Sequence, residues 1–440
     1  MENGMLLSNP DDIKEEWQQY FKTLLNCPVA GSPITEVIEN NDTFINEISP
    51  IEVRKAISKL KNNKAPGADG IPGELWKYGE DITTSKMYEL ITKIWKEEKQ
   101  PDEWNLGVIC PVHKKGSRRK CSNYRGIAIL PTAYKVLSYI ILGRLEPYTE
   151  KILGDYQCGF RKNRSTTDQI FLLRQIMEKR WEYAQSLHIL FVDFIKAYDS
   201  VDRDSLYNIL RLFQIPEKLV RMVKVATETS KMKVKVCRGF TDVFEVTTGL
   251  KQGDALSPIL FNLALEYLIR KILILEGGIE LNGNHKVIGY ADDLALLGQR
   301  EQDLTLMAKT LESEGLKIGL KISGEKTEYL HMKRYKDTRV CRKNLVTGDT
   351  TYLGTDSFKY LGCTVTDTNR REAEIDIRIQ NALRCSAALH KILVSKIVSV
   401  NVMHPLDPET GLIAAITLVR GLRFGALLHQ DDSYDTSLYD

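Results

Sequence analysis

The sequence lacks the features that mark secreted, membrane-spanning and zinc-binding proteins. Its eight cysteines include no CxxC pair and no Cys/His cluster at zinc spacing, which favours free thiols in a reducing compartment. No apolar run approaches the roughly 18 residues of a membrane-spanning helix. The N-terminus, MENGMLLSNPDDIKEEW, has acidic residues where a signal peptide has a basic start and an apolar core. We therefore expect an intracellular protein of the nucleus or cytoplasm, not secreted and without a membrane partner.

Composition is that of a globular protein with two or three subdomains. The 440 residues are 43% hydrophobic and 27% charged, and the net charge of +3 is small. The distribution of charge is more informative, because residues 104–125 contain no acid and six cations: Lys114, Lys115, Arg118, Arg119, Lys120 and Arg125. A second basic run, KRYKDTRVCRK, spans 333–343. Such clusters suit polyanion binding, although a solvated loop explains a single cluster about as often.

Hydrophobic periodicity predicts an α+β fold, with helices on one face of a mainly antiparallel sheet. Ser257 is predicted as the N-cap of a helix that starts at Pro258. Further helices are predicted at about 11–25, twice within 51–100, across 131–185 with a break at GDYQCGFRKNRST, at 301–318 and at 371–396. Strands are predicted on both sides of the basic loop in 104–130, at 187–194, as a hairpin over 231–248, on both sides of YADD, and at TEYLHM.

Two adjacent aspartates interrupt the apolar stretch VIGYADDLALLG at 287–298. A β-hairpin with YADD at its tip would aim Asp292 and Asp293 into a cleft, and Asp193, at the end of the predicted strand LHILFVDF, is a third candidate. Three neighbouring carboxylates repel one another unless divalent cations neutralise them. Oxygen ligands without histidine or cysteine favour two Mg²⁺ or Mn²⁺ ions, the arrangement used for phosphoryl transfer. An isolated Asp-Asp pair in a turn, however, is usually only turn chemistry.

Three motifs in order, FVDFIKAYDSVDR (191–203), GLKQGDALSPILFN (249–262) and YADDLALLG (290–298), resemble the palm motifs of reverse transcriptases. The amino-acid sequences of these motifs most resemble those of reverse transcriptases from non-LTR, LINE-type retrotransposons. Further matches cover roughly residues 11–395 and include NNKAPGADGIPGELWK, NYRGIAIL, GDYQCGFRKNRSTTDQI, GLKIGLKISGEKTEYL and FKYLGCTV.

The resemblance implies a right-hand polymerase fold with a partial helical thumb. The implied division is an N-terminal helical extension (1–50), fingers interleaved with the palm (51–185), a palm with the catalytic motifs (186–345), a primer-grip hairpin with the start of a thumb (346–400), and an unmatched tail (401–440).

The resemblance also implies roles at the chemical centre. Asp193 and Asp292 would hold both metal ions, and Asp293 would complete the acidic site. Tyr198 would exclude a ribose 2′-hydroxyl by its bulk, although a plain core tyrosine is the alternative. The other implied nucleotide contacts are Gln252 and Gly253 in the pocket, Lys115 and Arg125 on the triphosphate, and Lys326 beside the leaving pyrophosphate as a general acid.

Template and primer contacts are implied outside this centre. Arg161 and Arg164 would contact the template backbone, and Tyr360, Leu361 and Gly362 would grip the primer end. A solvated lysine at Lys115 and an ordinary edge hairpin at 358–365 are the corresponding structural alternatives.

The chain departs from the family pattern at Gly126, where the family usually has proline, and in the tail 401–440, which we interpret as foreign or truncated. We do not expect this chain to contain the upstream endonuclease or the downstream Cys/His knuckle that family polyproteins often carry. The expected function is an RNA-directed DNA polymerase that extends a DNA primer on an RNA template with dNTPs. A decayed or domesticated fragment that binds RNA without efficient polymerisation is the alternative, and a group II intron-type enzyme is the runner-up. The oligomeric state stays open.

Overall fold

The computed structural model describes residues 9–28, 31, 34, 40–228, 230–333, 343–348 and 350–393. The contacts divide the chain into two units, with the boundary between Asp356 and Ser357. The predicted tail at 401–440 and most of the basic run at 333–343 lie outside the described residues. Within the described residues, no helix has the length and hydropathy that a bilayer crossing requires.

Helices and strands alternate along the described chain. The helices are α1 Pro10–Leu24, α2 Pro50–Ser58, α3 Gly73–Tyr78, α4 Glu80–Glu97, α5 Thr132–Ile152, α6 Thr166–Glu182, α7 Ala197–Ser200, α8 Arg203–Leu212, α9 Glu217–Thr227, α10 Ser257–Leu273, α11 Glu301–Lys317 and α12 Glu372–Leu393. The strands are β1 Leu106–His113, β2 Tyr124–Ile129, β3 Leu187–Val192, β4 Lys231–Val236, β5 Gly239–Phe240, β6 Phe244–Glu245, β7 Ile279–Glu280, β8 Asn284–His285, β9 Val287–Tyr290, β10 Asp293–Gly298, β11 Glu328–Met332, β12 Leu345–Thr347, β13 Thr350–Thr355, β14 Ser357–Tyr360 and β15 Cys363–Thr366.

A six-stranded sheet lies at the centre of the first unit, in the order β12-β13-β11-β3-β10-β9. All neighbours are antiparallel except β11 and β13. The α+β class with a mainly antiparallel sheet is therefore confirmed. The predicted palm boundary at 345 falls inside this sheet, because β12 and β13 continue it.

A second sheet joins segments that are far apart in the sequence. β1 pairs antiparallel with β2 and parallel with β4, and β4 also pairs with β5 and β6. The predicted hairpin over 231–248 is confirmed by the antiparallel pairing of β4 with β6, and β4 also turns back at Cys237 and Arg238 to meet β5. The parallel β1–β4 pair makes the predicted fingers segment share a sheet with the predicted palm segment.

Helix α10 is the most buried helix of the first unit, with 13 of its 17 residues buried. It is apolar nearly all round, which is typical of a helix enclosed by a core. The predicted N-cap at Ser257 is wrong by one position: Leu256 is the N-cap and Ser257 begins the helix. The Ser257 hydroxyl donates instead to the Lys251 carbonyl, at 2.8 Å, and so ties the helix to the preceding loop.

The second unit, as far as it is described, consists of the β14–β15 hairpin and helix α12. The Thr364 amide of β15 donates to the Glu374 carboxylate near the start of α12, at 2.7 Å. Burial opposes the ionised form of Glu374, but this hydrogen bond and Arg378 outweigh it and lower its pKa. The predicted helix at 371–396 corresponds to α12.

Candidate active site

The turn between β9 and β10 presents Asp292 at the edge of the six-stranded sheet. Asp293 pairs with Tyr290 across the hairpin, so Ala291 and Asp292 form a two-residue turn. Ala291 has a φ of +55°, in the left-handed region that residues with a Cβ rarely adopt. The apolar residues of β9 and β10 are buried on either side. The sequence thus anchors a strained turn between two buried strands.

The loop before α6 holds this turn in place. The Gln157 side chain is 1% exposed; its Oε1 accepts from the Ala291 amide at 2.8 Å, and its Nε2 donates to the Ala291 carbonyl at 3.3 Å. Gly159 packs so closely that a Cβ there would lie 2.2 Å from the Ala291 nitrogen. Backbone bonds between Gly289 and both Tyr156 and Cys158 extend the contact. These bonds offset the strain at Ala291.

Asp193 lies directly after β3, on the strand next to β10. Leu294 pairs with Val192, so the next position along the two strands places Asp193 opposite Asp293. Thr327, which is fully buried, accepts from the Asp193 amide through its hydroxyl at 3.1 Å. The Ser323 amide donates to the Asp193 carbonyl at 2.8 Å. The backbone of Asp193 is therefore fixed while its side chain stays 44% exposed.

The surroundings of Asp292 and Asp293 oppose their ionisation. Burial raises the pKa of Asp292, and Asp193 adds to the effect, while Arg125 and Lys114 act in the opposite sense. Partial burial of its carboxyl group, together with the charges of Asp292 and Asp193, raises the pKa of Asp293 to about 6. Raised values of this kind mark acids that a nearby cation would stabilise.

Asp193 and Asp292 line a cleft of about 710 Å³ together with four cations, Lys114, Arg125, Lys196 and Lys326. The Lys326 ammonium lies 3.6 Å from an Asp193 carboxylate oxygen. Lys114 directly follows β1, and Arg125 lies on β2. Burial and the neighbouring cations Arg125 and Lys326 lower the pKa of Lys114, whereas Asp193 raises it. The cleft thus carries acids on one side and a cluster of cations beside them.

Lys115, which the resemblance implies as a triphosphate ligand, does not line the cleft. Its neighbour Lys114 does. Sequence reasoning missed Lys114 although a usable signal was present, because the residue directly after a strand is the one that meets the sheet edge. The same argument singled out Asp193.

Tyr198 lines the cleft with its ring stacked on Phe261 of α10, at a centroid distance of 4.6 Å and an interplanar angle of 21°. Burial, and then the charge of Asp292, raise the pKa of its phenol well above the usual range. Its buried hydroxyl has no hydrogen-bond partner among the described residues. A buried hydroxyl without a hydrogen-bond partner, beside three carboxylates, is typical of a ligand-binding site.

Gln252 is held by a carboxylate that sequence reasoning did not single out. Its Nε2 donates to both carboxylate oxygens of Asp199, at 2.9 and 3.0 Å. Burial raises the pKa of Asp199 to about 6, although the Gln252 amide and Lys196 act to lower it. Both residues line the cleft. Asp199 therefore fixes the direction of the Gln252 amide.

Gly253 sits where the loop before α10 crosses β2. Its φ of +114° lies in a region that other residues rarely adopt, and a Cβ would come within 2.7 Å of the Ala128 carbonyl oxygen. The Ala128 amide donates to the Gln252 carbonyl at 2.7 Å. Asp254 anchors the same loop, because its carboxylate accepts hydrogen bonds from the hydroxyls of Tyr134 and Ser138. Glycine is required here for close backbone packing.

Arg161 is bound into the loop that holds the turn at Ala291 and Asp292. Its side chain is 5% exposed, its guanidinium donates to the carbonyls of Gly154 and Gln157, and it pairs with Glu150. These contacts give Arg161 a structural role, and its template contact stays a prediction. Arg164 is more exposed and pairs with Asp155 on the surface.

The predicted primer-grip residues form the turn of the β14–β15 hairpin in the second unit. Tyr360 pairs with Cys363, which leaves Leu361 and Gly362 as a two-residue turn with φ values of +47° and +85°. Tyr360 is 2% exposed, so its ring supports the hairpin.

The acids form an incomplete set of metal ligands as they stand. Within the described residues, no three His, Cys, Asp or Glu side chains are close enough to form a ready metal-binding group. The chemistry of the donors nevertheless fits a hard divalent cation, because all three are carboxylates and the pKa values of Asp292 and Asp293 are raised.

Comparisons with known proteins place the chain in a family. The family model for reverse transcriptase (RNA-dependent DNA polymerase) matches residues 112–365. A 149 kDa protein of transposon TX1 from Xenopus laevis is 26% identical over 317 residues, which cover 69% of this chain and 24% of that protein. The Pol polyprotein of the type-2 retrotransposable element R2DM from Drosophila melanogaster is 26% identical over 360 residues, covering 80% of this chain and 33% of the polyprotein.

A probable RNA-directed DNA polymerase from transposon X-element of Drosophila melanogaster is 26% identical over 259 residues, covering 58% of this chain and 28% of that protein. Among solved structures, apo telomerase from Candida tropicalis, truncated from its C-terminal domain, has 14% identity and a TM-score of 0.45. That alignment covers 65% of this chain and 59% of the telomerase chain.

The chain spans about a quarter to a third of the length of these three retrotransposon relatives. The family match nevertheless covers more than half of the 440 residues and includes Asp193, Tyr198, Gln252, Asp292, Asp293 and Lys326. The expected right-hand polymerase class follows from this match. The chain belongs to the reverse transcriptase family, as a reverse transcriptase domain of the non-LTR, LINE type.

Proposed function

We propose that this chain is an RNA-directed DNA polymerase that extends a DNA primer on an RNA template with deoxynucleoside triphosphates. One observation carries the proposal: Asp193 and Asp292, from two neighbouring strand ends, share a cleft with Lys114, Arg125 and Lys326. Acids that attract divalent cations, next to cations that attract phosphate, are what phosphoryl transfer from a nucleoside triphosphate requires.

Two Mg²⁺ ions, or Mn²⁺, fit the acidic side of the cleft. Asp193 and Asp292 would hold both, and Asp293 would complete the site. Bound there, the ions supply activation of the attacking primer hydroxyl and stabilisation of the leaving pyrophosphate.

The cations of the chain would receive the nucleotide. Arg125 and Lys114 would bind the triphosphate, and Lys114 takes the place of Lys115 because it lines the cleft. Lys326, 3.6 Å from Asp193, is placed to donate a proton to the leaving pyrophosphate.

The remaining side chains would select and position the substrates. The Tyr198 ring, backed by Phe261, would exclude a 2′-hydroxyl by its bulk, and Gln252 and Gly253 would form the pocket floor. Arg164 would contact the template backbone, and the turn at Leu361 and Gly362 would contact the primer.

The test is primer extension on poly(rA)/oligo(dT) with dTTP and Mg²⁺. We expect incorporation by the wild-type chain and no measurable incorporation by Asp292→Ala. A matched control is Asp42→Ala, which removes an exposed carboxylate far along the chain from the acidic residues and should retain wild-type incorporation.

A binding-only fragment is not favoured, because all three aspartates are present and two of them share the cleft with the cations. Failure of the wild-type chain to incorporate dTTP, while it still shifts poly(rA) in a gel at moderate salt, would reverse that preference.

A further inference from the structure

Helix α1, which the sequence assigned to a separate extension, forms one wall of the catalytic cleft. Tyr20 and Leu24 of α1 line the cleft together with the acids and cations. The Lys196 ammonium lies over the Tyr20 ring, 5.2 Å from its centroid. Burial, and then the charge of Asp199, raise the pKa of the Tyr20 phenol to about 12. The Tyr20 ring therefore lies in the wall of the cleft, in contact with the charged residue Lys196.

The other aromatic residues of α1 support the strands that carry the cleft cations. Trp17 stacks on Phe21 at 5.8 Å and meets Tyr124 edge-on at 5.0 Å. Tyr124, at the start of β2, directly precedes Arg125. Phe21 fills the space beside Gly126, where a Cβ would lie 2.5 Å from its ring. The glycine that departs from the family pattern therefore accommodates α1.

Lys196 is an exposed cation that lines the cleft. It has a left-handed φ of +52° and follows Asp193 by three residues. Within the described ranges it forms no ion pair. Its charge acts to lower the pKa of the Asp199 carboxyl group. The ring beneath it fixes the ammonium without neutralising it, because a cation–π contact leaves the charge available.

We propose that Lys196 binds the triphosphate of the incoming nucleotide and that Tyr20 of α1 positions it for this contact. The proposal rests on the proposed function, since it concerns the nucleotide of that reaction. A nucleoside triphosphate is a polyanion, and the cleft offers Lys196 as a further cation beside Lys114 and Arg125. Lysine is suited to this task as a compact point charge on a flexible stem that needs orienting.

The test measures equilibrium binding of dTTP to the full chain on poly(rA) with an oligo(dT) primer that ends in a dideoxynucleotide. Binding is then read without chemistry, and a parallel assay with an extendable primer gives KM and kcat. The variants are Lys196→Ala, Tyr20→Leu and the double variant. Tyr20→Phe keeps the ring, and Tyr78→Leu removes a ring that Lys77 covers elsewhere, at 5.9 Å.

Lys196→Ala should weaken dTTP binding about tenfold, the usual size of one charged contact. Tyr20→Leu should weaken it about threefold, the size of an exposed cation–π contact, with KM raised and kcat little changed. Tyr20→Phe and Tyr78→Leu should bind dTTP like the wild type. In the Lys196→Ala background, Tyr20→Leu should have no further effect, because its action passes through the lysine.

Two results would overturn the proposal: dTTP binding that is insensitive to Lys196→Ala, or an equal effect of Tyr20→Leu with and without the lysine. The second result would mean that the ring merely stabilises α1. The proposed function can fail separately. A chain that binds dTTP with the predicted Lys196 dependence but never extends a primer keeps this proposal and loses the polymerase activity. A chain that extends primers without Lys196 dependence does the reverse.

Discussion

Two hairpin turns of two residues each differ in how they are held. One lies between β9 and β10 in the candidate active site, and the other lies between β14 and β15 in the second unit. The turn at Ala291 and Asp292 has one residue with positive φ, and that residue is an alanine, 2% exposed. The turn at Leu361 and Gly362 has two residues with positive φ, and the second is a glycine with no described atom within 4 Å of its would-be Cβ.

The difference shows two ways of holding a tight hairpin. The Gly362 turn relies on its own residues, since glycine adopts positive φ without strain. The Ala291 turn relies on another segment of the chain. Gln157 and Gly159 of that segment stabilise a backbone conformation that alanine disfavours. A turn that is held by another segment can place Asp292 more rigidly than a turn that relies on its own residues.

Gly159→Ala should break the externally held turn most completely. Its Cβ would lie 2.2 Å from the Ala291 nitrogen, and the neighbouring atoms are backbone that cannot swing away. We expect primer extension to fall by more than about a hundredfold, because a displacement of about an ångström at a catalytic group has effects of that size. Gly143→Ala, in helix α5 with no described atom within 4 Å of the new Cβ, is the matched control and should retain activity. Equal activity of the two variants would contradict the role of Gly159.

Gln157→Ala should have the next largest effect. The substitution leaves the amides of Gly159 and Ala291 without their acceptor, which costs about 1–3 kcal/mol for a buried group. We expect kcat to fall about 10- to 100-fold with a smaller change in the KM for dTTP, since the turn shifts while the cations stay in place. The control is Gln185→Ala, an exposed amide side chain. A fall in unfolding midpoint with unchanged kcat would reduce Gln157 to a stability role.

The raised pKa of Asp199 gives a third prediction, which concerns the dependence of stability on pH. Because the folded pKa of Asp199 is raised to about 6 from an unfolded value near 4, the folded state holds the proton more tightly. Asp199 therefore contributes stability that is fully present below about pH 4 and is lost as the pH rises to about 6. Between pH 4 and pH 6, the urea unfolding midpoint of the metal-free wild type should therefore change more steeply in the destabilising direction than that of Asp199→Asn. An identical pH slope in the variant would place the titration elsewhere.

Gly362→Ala should have the smallest effect. At a φ of +85° the added Cβ has room but adopts a conformation that costs about 1 kcal/mol. We expect about twofold faster dissociation from the primer end during extension on poly(rA), with the KM for dTTP unchanged. Gly362→Asn, which tolerates positive φ better, should lie closer to the wild type. A loss comparable to that of Gly159→Ala would mean that the two turns are equally sensitive.

Local features of the active site could be predicted from the sequence. The apolar flanks of YADD and the run LHILFVDF mark buried strands whose ends carry acids, and β3, β9 and β10 lie where these patterns indicate. Short-range patterns suffice here because the burial of a strand and the position of a turn depend on neighbouring residues.

Contacts between distant segments could not be predicted in this way. Nothing near Arg161 indicates that its guanidinium is enclosed by its own loop, and nothing in 11–25 indicates that Tyr20 reaches the cleft. Gln157 lies in a motif that resembles the family's, but its two-sided bond to Ala291 appears only once the loop and the hairpin are brought together. Hydrophobic periodicity reports which face of an element is buried and not what covers it.

The parallel pairing of β1 with β4 has a consequence for how the protein is made. During synthesis from the N-terminus, β1 leaves the ribosome with β2, but its other neighbour is produced only after β3 and helices α5 to α9. The sheet beside the cleft therefore cannot be completed as an early independent module, and its closure has the high sequence separation that slows folding. Nascent chains cut before residue 231 should leave one edge of β1 exposed to chaperones and to unwanted strand pairing.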